Sequence, residues 1–326
     1  MVDNRMMDAP GVTSTGRTRR VPDGGYKEGA RKRSGLGGWR SLIWILPGLA
    51  LIAVFVYFPL VQNIVLSFFH WTVFDPDQKF VGGANYVKAA GDPVFWRSLF
   101  NNVAYAVVSL VFQVGGALVL AAIIEDFVRK GFRGALRAIY FIPSAVSITV
   151  AALLFYFIYQ PQTGLLNVAL DTIGLGQFAQ TWLGQENTAI WAIIVMSQWQ
   201  SFGYTTLLYS VAIQRIPHDL YDAADIDGIG PLRRITQITM PLVREMSTLL
   251  IIVTISGAFQ VFNEVMVMTG GGPNNSSQVL GTWLYNSGLI NNDFGYAAAI
   301  ATVIFVITFG LAMGQLWFAR KRRVEW

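Results

Sequence analysis

"SLIWILPGLALIAVFVYFPLVQNIVL", Ser41 to Leu66, runs without one charged side chain. A helix needs about 20 consecutive apolar residues to cross the roughly 30 Å hydrocarbon layer of a bilayer, and this stretch is longer than that. Five more charge-poor windows follow along the chain: Arg97 to Glu125, Arg137 to Asp171, Glu186 to Arg215, Glu245 to Asp293 with one interruption at Glu264, and Asp293 to Arg320. The composition agrees, since 53% of the 326 residues are hydrophobic and 13% charged, against about 25% charged in ordinary soluble domains. The chain therefore reads as an all-α integral membrane protein of six transmembrane helices. They are expected at Ser41–Leu66, Asn101–Ile124, Ala138–Tyr159, Ala189–Ile213, Met246–Met268 and Tyr296–Phe318.

Basic residues stay preferentially on the cytoplasmic side of membrane proteins, and here they fall into four groups. Nine precede the first helix: Arg5, Arg17, Arg19, Arg20, Lys27, Arg31, Lys32, Arg33 and Arg40. Arg129, Lys130, Arg133 and Arg137 lie between helices two and three, Arg215, Arg233, Arg234 and Arg244 between four and five, and four more end the chain. Only Lys79, Lys88 and Arg97 fall on the other side. Both termini are expected to be cytoplasmic.

This topology accounts for the formal charge of +5 and removes the reason to invoke nucleic acid. Residues 1–40 read as a basic cytoplasmic tail, disordered and attracted to anionic headgroups, with 320–326 as a short cytoplasmic C-terminal tail. A cleavable signal would place a short apolar core close to the start, whereas about forty mostly polar residues come first, so the first helix is expected to be retained. Absence of cysteine rules out disulfides, thiolate zinc sites and cysteine nucleophiles. His70 and His218, the two histidines, lie too far apart in this topology to share a metal and read as solvated loop residues.

One loop stands out in a chain so poor in charge. "YDAADIDGIG", Tyr221 to Gly230, holds Asp222, Asp225 and Asp227. A calcium loop needs oxygen ligands at positions 1, 3, 5 and 12 around a glycine at 6; with Gly228 as that glycine, position 1 is Ala223 and position 12 is Arg234, so the pattern fails. A catalytic acid pair would want a convergent pocket, and nothing else catalytic is near. Backbone physics fits better. Pro217 suits a first helical turn, Asp219 and Asp222 favour its N-terminal end, and Gly228 supplies a left-handed residue to end it. Leu220, Ala223, Ala224 and Asp227 share one face. Pro231 then opens a second short helix running through Arg233 and Arg234 to Met240, with Pro241 just before the fifth membrane helix. This is either a docking element or an ordinary amphipathic loop.

Polar groups within membrane helices usually face a cavity or a partner. On helix five Ser256, Gln260, Asn263 and Glu264 form one stripe at helical spacing. Ser197, Gln200, Ser201 and Tyr204 do the same on helix four, with Trp199 and Phe202 nearby. Sugars suit such a lining, because hydroxyls bond to amides and carboxylates while C–H faces pack on aromatic rings. The alternative is that these side chains hydrogen-bond helix to helix. For Glu264 a third possibility is solvation near the outer surface.

Asp222-Ala223-Ala224, then Asp227-Gly228, then Ile238-Thr239-Met240-Pro241 resemble the EAA loop of permease subunits in binding-protein-dependent ABC importers. The family pattern is Glu-Ala-Ala, two residues, Asp-Gly and, about nine residues on, Ile-x-Leu-Pro. All spacings agree; Asp222 stands where glutamate is usual, and Met240 where leucine is. "FVGGANY" from Phe80, "IPHDLYDAA" leading into the loop and "FNEVMVMTGGGP" from Phe262 are similar to the carbohydrate-uptake, maltose-type branch, and the likeness runs from about Ile43 to Phe318. It implies a transmembrane domain over 41–319, with a cytoplasmic coupling-helix loop at 214–245 between helices four and five. It also implies a heterodimer with a second, related permease subunit, two ATP-binding subunits, a soluble binding protein docking outside, and a carbohydrate substrate crossing the bacterial inner membrane by alternating access. Asp222, Ala223, Ala224, Asp227, Gly228 and Pro241 are then the ATPase-coupling residues. Ser197, Trp199, Gln200, Tyr204, Gln260, Asn263 and Glu264 are candidates for the substrate path. The chain itself is expected to hold no metal, cofactor or catalytic residue, ATP and Mg being bound by the partner ATPase; it carries no G-x-x-x-x-G-K-[ST] phosphate loop, and "TGGGP" from Thr269 is expected to be a tight external turn. An ion-coupled secondary transporter or channel is the alternative class, an integral membrane enzyme the third.

Overall fold

A computed structural model of the chain describes residues 37–74 and 77–320. The expected basic tail falls almost wholly outside the described residues, as do residues 321–326. Two compact units divide after Ala53. The first contributes helix α1 (Gly37–Ile52). The second begins at Val54, within a π-helical turn, Ala53–Tyr57, that precedes α2 (Phe58–Leu66). A two-stranded antiparallel ribbon follows, β1 (Phe69–His70) pairing with β2 (Lys79–Phe80), and then the short α3 (Ala84–Gly91). Every other regular element among the described residues is helical.

The second expected span is longer than its charge-free window. It starts at Asp92, whose carboxylate accepts the Val94 N–H at 2.9 Å, with Pro93 in the first turn; both are favourable start signals. α4 (Pro93–Ser109) passes through a π segment, Leu110–Gly116, into α5 (Ala117–Phe127), 35 residues of continuous helical rod. Ala117 and Ala121 on α5 are fully buried, and such small residues let membrane helices approach closely.

The third expected helix, Ala138–Tyr159, is not one helix. α6 (Lys130–Ala145) and α7 (Ile148–Ile158) meet at 90°. Pro143 lacks the N–H of the helical ladder, and Val146 and Ser147 take extended conformations between the two. After the short α8 (Leu165–Thr172) comes α9 (Ala189–Ile213), which spans 25 residues with the bounds expected from sequence. α9 supplies the polar groups that a broken backbone needs in an apolar surrounding. The Gln200 amide donates to Val146 O at 3.1 Å, and the Ser144 hydroxyl donates to Gln200 O at 2.8 Å while accepting the Tyr204 N–H at 2.9 Å. Gln200 O and Tyr204 N–H are partners in an ordinary helical ladder, so Ser144 is inserted between them. The approach is close because residue 203 is glycine: a Cβ there would lie 1.7 Å from Tyr140 O.

Beyond α9 lie α10 (His218–Ile226), α11 (Pro231–Arg234), a π turn at Ile235–Thr239 and α12 (Met240–Leu242), bent by 77° from α13 (Arg244–Phe259). The fifth expected helix, Met246–Met268, is also interrupted. α13 ends at Phe259, and α14 (Asn263–Met268) starts after the non-helical Phe262, at φ −152° and ψ −60°. Asn102 of α4 caps the interruption: its Nδ2 donates to Ala258 O at 2.7 Å, and its Oδ1 accepts the Leu280 N–H at 2.8 Å. "TGGGP" does form a tight turn, with positive φ at Gly270, Gly271, Asn274 and Asn275. α15 (Leu280–Tyr285) and the long α16 (Phe294–Arg320) complete the chain. By length and composition, three described helical stretches suffice to cross a membrane, Trp44–Leu66, Pro93–Phe127 and Phe294–Trp317, or five if each bent pair is one span.

Candidate functional site

The start of α7 and the break between α13 and α14 border a cavity of about 380 Å³. Its walls come from four places: the α4 rod at Tyr105, Ser109 and Gln113; α7 at Ile148; α9 from Ser197 to Thr205; and α13 with the link into α14. Glu264 is its one carboxylate, and no basic side chain lines it. That carboxylate is 7% exposed and accepts a hydrogen bond from the Tyr105 hydroxyl at 2.9 Å. It is thus held by a neutral donor.

Of the seven residues proposed from sequence for a substrate path, six line this cavity: Ser197, Gln200, Tyr204, Gln260, Asn263 and Glu264. Trp199 does not. It packs on Phe155, ring centroids 5.2 Å apart, because a neighbour one position along a helix is turned about 100° away. The stripe expected on helix five also needs correction. Helical spacing cannot relate Gln260 to Asn263 and Glu264 across the break, and Ser256 is not in the lining; the loop at 260–262, not an unbroken helix, brings these side chains together. Gln200 is partly committed to structure, since its Oε1 accepts from Ser201 at 2.8 Å and its Nε2 holds Val146 O. Gln260 and Asn263 are exposed and make no side-chain hydrogen bond to described residues, so they are the groups best placed to accept a polar guest. Sequence reading missed the α4 wall. Its signal was present in the polar residues Tyr105, Ser109 and Gln113, spaced by four. Gln113 donates to Gln198 Oε1 at 3.0 Å, and Gln198 to the Ser109 hydroxyl at 3.2 Å, a network that fixes the rod to α9.

At the far ends of these walls lies the acidic loop. α10 ends as expected: Asp227 is its last half-helical residue, Gly228 has φ +67°, Gly228 N–H bonds Asp225 O at 3.2 Å and Ile229 N–H bonds Ala224 O at 2.9 Å. This pair of bonds around a left-handed residue is the Schellman closure of a helix. A Cβ on Gly228 would meet nothing within 4 Å, so the glycine is required by conformation and not by space. Ala224 is buried, whereas Asp222, Ala223, Asp227 and Pro241 are exposed. Asp222 is the fifth residue of α10 and does not start the helix; Asp219 does, in the first turn. The loop also exposes apolar side chains, Ile226 at 87% and Leu232 at 75%, an uncommon display beside so many acids.

Ion pairs centred on Arg137 and Arg234 bind this region together, and none of them is legible in the sequence. The Arg137 guanidinium meets both Glu125 oxygens, at 2.6 and 2.7 Å. Arg234, 8% exposed, bonds both oxygens of Asp126 at 2.9 and 3.1 Å and also bonds Asp225. Phe127 and Tyr221 present their rings to the same guanidinium, 5.9 and 6.0 Å away. Tyr221 bonds Thr239 at 3.0 Å, and burial raises its phenol above the usual value, which keeps it a neutral hydrogen-bonding group.

Residues 113–324 match the family described as binding-protein-dependent transport system inner membrane component. A probable ABC transporter permease protein, YurN of Bacillus subtilis (strain 168), is 46% identical over 87% of this chain and 97% of that protein. The trehalose/maltose transport system permease protein MalF of Thermococcus litoralis is 32% identical over 86% of this chain and 94% of its own length. Among solved structures, a bacterial alginate ABC transporter in complex with an alginate pentasaccharide-bound periplasmic protein superposes with a TM-score of 0.75 at 24% identity, covering 87% of this chain and 94% of that one.

Proposed function

Because the chain belongs to the family of binding-protein-dependent transport system inner membrane components, we propose that it is the permease subunit of an ATP-driven ABC importer for a sugar or oligosaccharide. The observation that carries this reading is the cavity. It is enclosed by apolar helices, lined by Ser, Gln, Asn and Tyr side chains with a single carboxylate, and free of basic groups, a chemistry suited to a neutral polyol. The substrates named for the relatives support the class.

In this reading the chain crosses the inner membrane six times: through Trp44–Leu66, Pro93–Phe127 and Phe294–Trp317, through the bent pair α6–α7, through α9, about 37 Å long at 1.5 Å per residue, and through α13 with α14. The polar face of α9 lowers its mean hydropathy without shortening it. Both termini are cytoplasmic, the transmembrane domain covers 41–319, and the loop at 214–245 faces the cytoplasm. There Asp222, Ala223, Ala224, Asp227, Gly228 and Pro241 meet an ATP-binding subunit, with Ile226 and Leu232 as apolar contacts. A second permease subunit, two ATPases that hold ATP and Mg, and a soluble binding protein complete the assembly. Ser197, Gln200, Tyr204, Gln260, Asn263 and Glu264 form this chain's share of the path. Trp199, packed on Phe155 outside the lining, takes no part in it. A secondary carrier would gain from the broken helices, but it would need coupling acids in mid-membrane, and the one carboxylate in the cavity is already engaged by Tyr105.

The test is reconstitution in proteoliposomes with the companion subunits and binding protein, using radiolabelled maltose and trehalose. Uptake is expected only with ATP inside the vesicle-equivalent of the cytoplasmic face. Uptake by the chain alone under a sodium or proton gradient would overturn the proposal.

A further inference from the structure

α5 ends in two consecutive acids, Glu125 and Asp126. The C-terminal end of a helix carries partial negative charge, so carboxylates there are disfavoured. Each acid is matched by an arginine from a different later segment, Glu125 by Arg137 on α6 and Asp126 by Arg234 on α11. Arg234 also holds Asp225 on α10. One buried guanidinium therefore touches the end of the α4–α5 rod, the helix that carries Asp222 to Asp225, and its own helix. A buried ion pair is weak evidence for stability, because desolvation offsets the attraction; its better-attested use is to fix register between elements.

Besides this contact α10 is held by Tyr221, which bonds Thr239 and packs on the buried cluster around Tyr209 and Ile213, and by its chain ends. One end is the short link from Ile213 to His218, the other the 77° bend between α12 and α13. Both are places where backbone direction changes and an applied displacement can dissipate. The rod, in contrast, is helical from Pro93 to Phe127, and Gln113 on its cavity wall lies about 20 Å from Asp126 at 1.5 Å per residue.

We propose that Arg234 is a positioning residue that fastens α10 to the end of the second span, so that a displacement of α10 by the ATP-binding subunit is carried through α5 and α4 into the cavity wall. This rests on the reading of α10 as the ATPase contact. Asp126 is the more important acid, because it is bound through both oxygens and its side chain is 15% exposed, against 64% for Asp225.

The chain contains no cysteine, so a single Gln260→Cys reports on the cavity without any knowledge of the substrate. In the assembled complex, labelling of that cysteine by a membrane-impermeant maleimide is compared with and without ATP and vanadate. With the pin intact the rate should change by at least about fivefold, the lower end of ordinary coupling between sites. Arg234→Gln and Asp126→Asn should retain the ATPase subunit and its hydrolysis but lose the ATP-dependent change in labelling. The charge swap, Arg234→Asp with Asp126→Arg, should restore it. An undiminished response in both single variants, or a swap no better than either, overturns the proposal. Loss of the ATPase subunit from both single variants also overturns it, by making Arg234 a folding residue. If the Gln260→Cys chain with its pin intact fails to respond to ATP, the importer reading itself has failed, and that result is seen before any pin variant is made.

Discussion

Gly203→Ala should be far more damaging than a glycine-to-alanine change in a helix normally is. Inside a helix alanine is favoured over glycine by about 1 kcal/mol, so propensity alone predicts stabilisation. Packing predicts the reverse. The new methyl carbon would lie 1.7 Å from Tyr140 O and 2.6 Å from its carbonyl carbon, backbone atoms that cannot swing away. α6 and α9 must separate by well over an ångström. Separation breaks the Ser144 bonds to Gln200 O and Tyr204 N–H and the Gln200 bond to Val146 O, each worth about 0.5–1.5 kcal/mol net and more if a buried partner is left unpaired. With overpacking strain of about 1–3 kcal/mol, the loss is on the order of 3–6 kcal/mol. Thermal unfolding followed by fluorescence-detected size exclusion in detergent should show a drop in Tm of several degrees, at about 2–4 °C per kcal/mol for domains somewhat smaller than this one. Ser144→Ala removes two of the three bonds without the clash and should fall between the two. A Gly203→Ala chain with unchanged Tm, or one more stable than Ser144→Ala, would refute this account of the α6–α9 crossing.

At Gly228 the same substitution acts through conformation alone: alanine at φ +67° has room but should cost about 1–2 kcal/mol, with valine worse and asparagine nearly tolerated, read as protease sensitivity of the loop and as transport per ATP hydrolysed. Glu264→Ala should lower uptake about tenfold or more while the complex still assembles, because it removes the cavity's only carboxylate and leaves the Tyr105 hydroxyl without its acceptor, a loss of the size expected for a buried hydrogen bond to a charged group; wild-type uptake would remove Glu264 from the path. For topology, single cysteines at Gln162 and His218 should react with an impermeant maleimide from opposite faces, Gln162 in intact cells and His218 only after permeabilisation; labelling of both from one face would overturn the six-span arrangement.

What was legible in the sequence follows from which physics is local. Absence of charge over a span is local, so α9 could be placed from Ala189 to Ile213 and the Gly228 turn could be read from glycine alone. The breaks at Ser147 and Phe262 are tertiary. They persist because Gln200 and Asn102, on other helices, satisfy the freed backbone groups, and no window around Val146 or Val261 contains those partners. Pro143 was the one local hint. The helix-five stripe was drawn on a helix that does not exist, yet most of its residues reached the cavity, since polar groups near a break are drawn to the same polar space. Arg234 went unseen for a related reason: its partners lie 9 and 108 positions away, and in sequence it counted only as one more cytoplasmic cation.

The arrangement ties the cavity to the loop through three levers rather than one. α9 lines the cavity at Tyr204 and ends at Ile213, about 14 Å further at 1.5 Å per residue, before running into α10. α13 lines it at Gly257 and begins at Arg244, directly after α12. The α4–α5 rod lines it at Tyr105 and Gln113 and ends beside Arg234. Two of these walls reach the loop by covalent continuity, and the third through side-chain contacts alone, the Arg234–Asp126 ion pair together with apolar packing of α5 on Ile235. If α10 moved while Asp126 stayed behind, α9 and α13 would tilt against a stationary rod, shearing the Gln113–Gln198–Ser109 network that joins rod to α9. In the proposed coupling Arg234 would give all three walls one displacement at their ends, and the cavity would change shape where the helices are already interrupted, at Ser144–Ser147 and at Gln260–Phe262. Of the polar residues proposed for the path, Gln260, Asn263 and Glu264 sit at the second interruption and Ser197, Gln200 and Tyr204 face it from the unbroken α9, so motion delivered to the loop would alter the binding surface without unfolding a helix.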